Sequence, residues 1–173
     1  MNYFKIILCT ILLVTSCQYT QSGIPEKIEP FITPFGEFNF QRPKFPDAKV
    51  SIIDFGAKEG GSFKNTEAIN KAIKHLSVSG GGTVVVPPGK WLTGPIVLLS
   101  NINLHLKEGS ELLFSQDFTD YLPAVLTSIE GSEVYTYSPF IYSLQQENIA
   151  ITGKGVLNGQ GKPWWEQRKT ISL

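Results

Sequence analysis

The chain is nearly free of the residues that build disulfides and soft-metal sites. Its 173 residues include two cysteines, Cys9 and Cys17, both close to the start, and two histidines, His75 and His105. If a leader containing Cys9 is removed, one cysteine remains, and it can form no internal disulfide and no cysteine-based metal site. The histidines lie 30 positions apart without a motif partner, so no histidine cluster for a metal is expected.

Charge is also sparse. The formal net charge is zero and charged residues make up 17% of the chain, which excludes the basic footprint of a nucleic-acid-binding protein. Glycine is frequent, with 16 residues, and the apolar residues are rich in Val, Ile, Leu and Phe. That composition favours many short strands joined by tight turns.

A long apolar run is absent as well. After Lys5, the stretch "IILCTILLV" is too short to span a bilayer and is typical of a secretory signal. It leads into "VTSC", which resembles the bacterial lipoprotein box. We predict a signal peptide over residues 1–16, lipidation of Cys17, and an exported bacterial lipoprotein in the periplasm or at the outer membrane or cell surface. The alternative is a plain signal peptide with a chance cysteine.

Residues 17–48 carry five prolines and no sustained period. They predict a tether that continues into an extended arm. The arm also holds five phenylalanines, which are too many for a free linker, so part of it is expected to pack along the following domain, residues 49–173.

That domain opens with "VSIIDFGA" (50–57), which predicts a strand. A helix is predicted over 65–79 from five apolar residues at helical spacing, with Asn65 or Thr66 as its cap and Gly80 at its end. No second helix is expected. The remaining segments predict short strands: "TVVVP", "KWLTG", "IVLL", "INLHL", "ELLF", "PFIYS", "IAIT" and "GVLN".

An internal repeat distinguishes among the all-β architectures. Asn101-Ile102-x-Leu104 aligns with Asn148-Ile149-x-Ile151 at an offset of 47 residues, which we interpret as two coils of about 23. Coils of that length predict a parallel β-helix, with the 65–79 helix covering the exposed edge of the first coil. Residues 115–138 are expected to form a long irregular loop that projects from one coil.

Two long segments then carry a family resemblance. "DFGA…NTEAINKAI…SGGGTVVVPPGKWLTGPIVLLSNINLHLKEGSELLFS" and "YSPFIYSLQQENIAITGKGVLNGQGKPWW" closely resemble the N-terminal half of glycoside hydrolase family 28, from about residue 50 to about 168. These are the polygalacturonases and related pectin-cleaving enzymes. One loop departs from the family pattern: the usual acidic "DG…D" is here "EGGSFK".

The resemblance implies a right-handed parallel β-helix that hydrolyses α-1,4 bonds of polygalacturonan or rhamnogalacturonan with inversion and without a cofactor. The family draws its catalytic groups from an Asn-Thr-Asp, an Asp pair, a Gly-His-Gly and an Arg-x-Lys, all downstream of the matched stretch. We therefore expect this chain to be an inactive N-terminal part that contains no catalytic residue, with an uncapped last coil. The complete protein is expected to be a monomer that binds pectic polysaccharide.

The chain's own carboxylates do not replace the missing pair. An inverting glycosidase needs two carboxyl groups about 6.5–9.5 Å apart, one of them with a raised pKa. Asp54 is expected to make a structural hydrogen bond, and Asp117 and Asp120 are expected to be solvated loop carboxylates. His75 and His105 are expected to have surface or packing roles.

The end of the chain leaves two interpretations open. "GKGVLNGQGKP" lacks the spacing of a phosphate-binding loop, so its glycines are better explained as turns between coils. Trp164 and Trp165 could stack on a sugar or cover the side of the next coil. A non-catalytic polysaccharide-binding β-helix stays open as an alternative function, whereas a calcium-dependent pectate lyase is disfavoured because no acidic cluster is visible.

Overall fold

The computed structural model describes residues 28–171, and the predicted signal peptide and Cys17 lie outside this range. The described chain divides into two units, residues 28–42 and 43–171. Within it, no helix is long and apolar enough to cross a membrane.

The first unit contains an antiparallel hairpin where the sequence predicted an extended arm. Strand β1 (Phe31–Thr33) pairs with β2 (Gly36–Phe38). The Thr33 hydroxyl donates to the carbonyl of Gly36 at 3.0 Å and accepts from the N–H of Phe35 at 3.2 Å. Gly36, at φ 132°, takes a backbone conformation that residues with a Cβ rarely adopt. A side-chain-supported turn therefore closes this short hairpin.

The second unit is built almost entirely from short strands. Its elements in chain order are β3 (Lys49–Ser51), a 3-10 helix (Ile52–Phe55), α1 (Thr66–Val78), β4 (Gly82–Val86), β5 (Gly89–Thr93), β6 (Ile96–Val97), β7 (Ile102–Leu106), β8 (Ser110–Phe114), a second 3-10 helix (Phe118–Tyr121), β9 (Val125–Ile129), β10 (Ser132–Thr136), β11 (Ile141–Tyr142), β12 (Ala150–Gly153), β13 (Val156–Asn158) and α2 (Lys162–Ile171).

Apart from β9 and β10, these strands form three parallel sheets, which confirms the predicted parallel β-helix. One sheet has the order β12-β7-β4-β3, the second β13-β8-β5 and the third β11-β6. Two coils, one formed by β4, β5 and β6 and the next by β7, β8 and β11, contribute one strand to each sheet, and consecutive coils stack by backbone hydrogen bonds. Apolar side chains at matching positions point inward, as in the buried stack of Val84 on Leu104 and of Trp91 on Leu112.

The 47-residue repeat is confirmed as a stacking relation, but its interpretation as two coils is wrong. Leu104 pairs directly with Ile151, so residues 47 positions apart lie in neighbouring coils. The coil before it is much shorter, because Asn103 lies beside Thr83, only 20 positions earlier. The extra length of the later coil is the segment between β8 and β11, which leaves the stack and returns to it.

Helix α1 caps the first coil as predicted. Its five apolar residues, Ala68, Ile69, Ala72, Ile73 and Leu76, are all buried, and the helix packs against β3, β4, β6 and the first 3-10 helix. The predicted strand over 50–57 is only partly correct, because β3 ends at Ser51. A capping box then begins the 3-10 helix: the Ser51 side chain accepts from Ile53 N–H, and Asp54 accepts from Ser51 N–H.

Two further elements differ from the sequence predictions. The expected irregular loop contains the antiparallel hairpin β9–β10, whose turn residues Glu130 and Gly131 both have positive φ, at 52° and 83°. Such a turn matches the twist of the strands it joins. The chain also forms a second helix, α2, with Pro163 in its first turn, where the missing N–H costs no hydrogen bond.

Candidate functional site

The insertion between β8 and β11 brings together most of the side chains that could carry chemistry. Asp117 caps the second 3-10 helix by accepting hydrogen bonds from the backbone N–H of Thr119 at 3.0 Å and from its hydroxyl at 2.6 Å. Lys64, from the loop before α1, lies 2.7 Å from a carboxylate oxygen of Asp120 and 3.5 Å from one of Asp117. The insertion is therefore tied to the capped end of the stack.

The prediction of two solvated carboxylates is wrong for Asp120. Its side chain is 19% exposed and ion-paired with Lys64, whereas that of Asp117 is 51% exposed. One Asp120 oxygen, Oδ2, is buried without a hydrogen-bond partner. The sequence offered no local signal for this pair, because Lys64 lies 56 positions before Asp120.

The electrostatics of this group do not suit a general acid. The hydrogen bond to Asp120 raises the pKa of Lys64 above its ordinary value, so the lysine stays charged and neutralises its neighbour. The hydrogen bonds from Thr119 lower the pKa of Asp117. An acid that protonates a leaving group near neutral pH needs a raised pKa. The cluster of Lys64, Asp117 and Asp120 is consistent with a structural ion-pair network that docks the insertion.

Tyr121 fixes the base of the insertion. Its ring is fully buried, its hydroxyl donates to the carbonyl of Ser115 at 2.8 Å, and its own carbonyl accepts from the N–H of Ser138 at 2.9 Å. Burial, and to a smaller extent the charge of Asp120, raises the pKa of this tyrosine, so the hydroxyl stays protonated as a donor. Both ends of the insertion are thus joined at one point of the coil.

An aromatic groove lies beside that point. Its volume is about 650 Å³. It is lined by Thr136, Tyr137, Ser138, Pro139, Phe140, Trp164 and Gln167. The lining comes from the end of β10, the return to β11, and helix α2.

Trp164 lies at the centre of the aromatic side chains around this groove. Its half-buried ring lies at 4.5 to 6.0 Å from the rings of Phe118, Tyr121, Tyr137 and Phe140, at near-perpendicular angles. Edge-to-face contacts of this kind stabilise packing. These partners of Trp164 were not predicted from the sequence, although several aromatic residues within one predicted loop were a usable signal.

Trp165 has a different environment. Its side chain is 64% exposed, on the same helix as Trp164. The two interpretations offered for this tryptophan pair therefore separate: Trp164 packs against the returning insertion, and Trp165 presents an aromatic ring to the surface. Sugar stacking stays a prediction for both residues, with Trp165 better placed for it.

The outer face of the first sheet carries a polar ladder around His105. The Thr152 hydroxyl donates to Asn103 Oδ1 at 2.8 Å and lies 2.8 Å from His105 Nδ1. His105 points outward because its neighbours Leu104 and Leu106 are buried, as the alternation predicts. His75 is exposed on α1 and contacts the ring of Phe55 at 5.4 Å between centroids. Both histidines therefore have the expected surface or packing roles.

Within residues 28–171, no three His, Cys, Asp or Glu side chains are grouped closely enough to hold a metal ion. The candidate surfaces on the described part of the chain are thus an ion-paired carboxylate cluster and an aromatic groove.

Comparison with known proteins decides the family. Residues 49–105 match the family model described as rhamnogalacturonase A/epimerase, pectate lyase-like. The solved structure of a hyperthermoactive exopolygalacturonase from Thermotoga maritima is 46% identical, with a TM-score of 0.71, over 76% of this chain and 30% of that one. The chain belongs to glycoside hydrolase family 28. Its stack is accordingly the right-handed parallel β-helix of that family.

Two further relatives support the assignment. A probable polygalacturonase from Vitis vinifera is 34% identical over 68% of this chain and 26% of its own length. The family 28 exopolygalacturonase of Yersinia enterocolitica is 33% identical, with a TM-score of 0.58, over 66% of this chain and 21% of that one. The chain thus spans about a fifth to a quarter of the length of the curated relatives it matches.

Proposed function

We propose that this chain is part of a pectin-degrading glycoside hydrolase that cleaves α-1,4-galacturonosyl or related bonds with inversion. The observation that carries the proposal is the 46% identity to an exopolygalacturonase, combined with a shared fold at a TM-score of 0.71. The fold alone would not support an activity, because one architecture hosts many chemistries. Sequence identity at this level, together with the shared fold, favours a common substrate class, pectic polysaccharide.

The catalytic carboxyl pair is proposed to lie outside residues 28–171. Among the described aspartates, Asp54 serves a capping box, Asp117 serves a helix cap with a lowered pKa, and Asp120 is paired with Lys64. The lowered pKa of Asp117 is the opposite of what a leaving-group acid requires. In this proposal, residues 28–171 supply the cap and the first coils, on which catalytic coils stack.

The first experiment is to read the source gene beyond the codon for Leu173. We expect an open frame that encodes Asn-Thr-Asp, Asp-Asp, Gly-His-Gly and Arg-x-Lys motifs. The longer protein should then release new reducing ends from polygalacturonate, whereas residues 18–173 should release none. Hydrolysis by residues 18–173 alone would contradict the placement of the catalytic pair, and no hydrolysis by the longer protein would contradict the proposed activity.

A second candidate function is binding of polysaccharide without hydrolysis. It is favoured by the exposed ring of Trp165 and by the aromatic groove beside Trp164, since aromatic rings stack on sugar faces. Affinity electrophoresis in a pectin gel tests it, with Trp165→Ala compared against Leu144→Ala, a matched change at an exposed apolar residue. Retardation that Trp165→Ala abolishes and Leu144→Ala preserves would support binding. Migration unaffected by pectin would argue against it.

We also propose that the protein is exported and held at a membrane through lipidated Cys17, and that the complete protein is a monomer. The "VTSC" sequence after a short apolar run supports the anchor. Mass spectrometry of the membrane fraction should show an acylated N-terminal cysteine, and Cys17→Ser should abolish the acylation. An unmodified mature chain would overturn the anchor.

A further inference from the structure

The N-terminal hairpin carries an unusual density of exposed aromatic rings. Phe31 and Phe38 are cross-strand partners, so their side chains share one face, and they are 63% and 48% exposed. Phe35, in the turn, is 93% exposed, and Phe40 is 57% exposed. Large apolar side chains concentrated on so short a hairpin mark an interaction surface.

The polar residues of the hairpin indicate what kind of surface it meets. The pair Ile32 and Glu37 occupies the other face, so the charge of Glu37 is directed away from the two paired phenyl rings. Residues 28–42 contain two glutamates and one arginine. The hairpin therefore offers no basic patch for an anionic partner, and its contact would be apolar in character.

The position of the hairpin in the chain identifies the occupant. Phe31 follows Cys17 by 14 residues. Fourteen residues span at most about 50 Å, so an acyl group on Cys17 keeps the hairpin within that distance of the bilayer. Tethering at short range raises the effective concentration of the second contact to about the millimolar range. A weak apolar surface then associates with the bilayer far more completely than it would from dilute solution, where concentrated vesicles are needed.

We propose that the hairpin lies on the lipid bilayer and places Phe31, Phe35 and Phe38 at the boundary between headgroups and acyl chains. The inference rests on the proposed lipid anchor at Cys17. The acyl group supplies the attachment, and the hairpin supplies a second contact that holds the chain close to the membrane surface.

The test uses the full-length chain, matured and acylated in a host and reconstituted into phosphatidylcholine vesicles. Phe35→Cys provides a thiol for a polarity-sensitive fluorophore, and Ser132→Cys, at an exposed position of the other hairpin, is the matched control. We expect a blue-shifted emission at position 35 and at least about threefold stronger quenching there by nitroxide-labelled lipid than at position 132. Equal, weak quenching at both positions would overturn the proposal.

Further variants separate the bilayer from other occupants. Phe31→Ser combined with Phe38→Ser should lower the quenching at position 35 to the level of position 132. Shielding of position 35 from aqueous iodide without quenching by lipid would mean that another protein surface covers the hairpin, and this too would overturn the proposal. High salt should leave the lipid quenching unchanged, because the contact is apolar.

The experiment distinguishes a wrong proposal about the lipid anchor from a wrong proposal about the bilayer contact of the hairpin. Mass spectrometry of the same preparation reports the acyl group independently of the fluorescence. If the acyl group is absent, flotation of the chain with concentrated vesicles tests the hairpin directly. Flotation that the double Phe→Ser variant reduces by about tenfold or more supports the surface, and no flotation overturns it.

Discussion

Replacement of Asn65 by aspartate tests whether this residue acts as a helix cap or as a buried clamp. The sequence suggests a cap for α1, and aspartate and asparagine serve equally well as caps. The structure shows no capping hydrogen bond from the Asn65 side chain. Instead, the fully buried amide accepts from the N–H of Lys58 at 2.7 Å and donates to the carbonyls of Lys58, Phe63 and Leu92 at 2.9 to 3.2 Å.

The expected losses in the free energy of unfolding follow from the hydrogen-bonding groups that each substitution leaves unpaired. Asn65→Ala orphans the N–H of Lys58, but the carbonyl of Leu92 keeps a backbone bond from the N–H of residue 65 at 2.8 Å. We expect a loss of about 2 kcal/mol in the free energy of unfolding. Asn65→Asp at pH 7 places a buried carboxylate against three carbonyl oxygens, and we expect a larger loss, about 4 kcal/mol.

The pH dependence gives the sharper test. Burial beside carbonyl oxygens raises the folded-state pKa of the introduced carboxyl above its unfolded value. The folded state therefore binds the proton more tightly, and the stability of the Asn65→Asp variant should recover as the pH falls towards 5. The Asn65→Ala variant should lack this recovery.

Urea unfolding followed by tryptophan fluorescence measures both variants at pH 7 and pH 5. Glu67→Gln, at an exposed position of the same helix turn, serves as the control and should change stability by less than about 0.5 kcal/mol. If Asn65→Asp is as stable as the unmodified chain, or more stable than Asn65→Ala at pH 7, the clamp interpretation is refuted and the cap interpretation stands.

Three further changes test the stack and the insertion. Gly153→Ala should cost about 3 kcal/mol or more in thermal unfolding, because φ is 100° there and a Cβ would collide with the backbone of the preceding coil; a change below 1 kcal/mol would contradict this close approach. Lys64→Met should cost about 1 kcal/mol below pH 10, since it leaves half-buried Asp120 unpaired. Because the pKa of Lys64 is raised above 10.5, the unmodified chain should lose this contribution as the pH rises through the folded-state value, and an identical alkaline slope in the variant would argue against it. Tyr121→Phe should cost about 1 to 2 kcal/mol and speed limited proteolysis within residues 115–138, because Ser115 loses a buried donor; unchanged cleavage would show that the hydroxyl does not hold the insertion.

The regular part of the fold was predictable because its signals are local. Alternation placed Ile102, Leu104 and Leu106 inward, and helical spacing identified the buried face of α1. Matching asparagines also indicated the stacking, and the amide of Asn148 donates to Asn101 Oδ1 at 2.9 Å. Both asparagines have positive φ, a conformation that their short polar side chains tolerate.

The missed elements depend on contacts that no local pattern reports. A repeat offset cannot distinguish one coil with a long insertion from two stacked coils, and this ambiguity produced the wrong coil count. The clamp at Asn65 depends on Leu92, 27 positions away, and the Lys64–Asp120 ion pair on a separation of 56 positions. Helix α2 lacks a continuous aliphatic stripe, and its signal was Pro163 in the first turn.

The aromatic groove combines a residue that the sequence identified with elements that the sequence did not predict. Trp164 was identified from the sequence as a residue of interest, but its role was left open between sugar contact and packing. The surrounding rings of Phe118 and Tyr137 come from an insertion that was expected to be irregular. The β9–β10 hairpin and helix α2 were both missed, so the sequence could not show that they enclose a groove.

Because the insertion closes at Tyr121 and Ser138, the number of residues in a coil does not change the height that the coil adds to the stack. A coil that advances 20 positions and one that advances 47 each add a single strand to the first sheet, hence a rise of about 4.8 Å. Residues gained or lost in this insertion would widen the molecule without lengthening its axis. Family members that differ greatly in residue number can therefore share one axial spacing, along which a linear polymer would meet the same succession of coils.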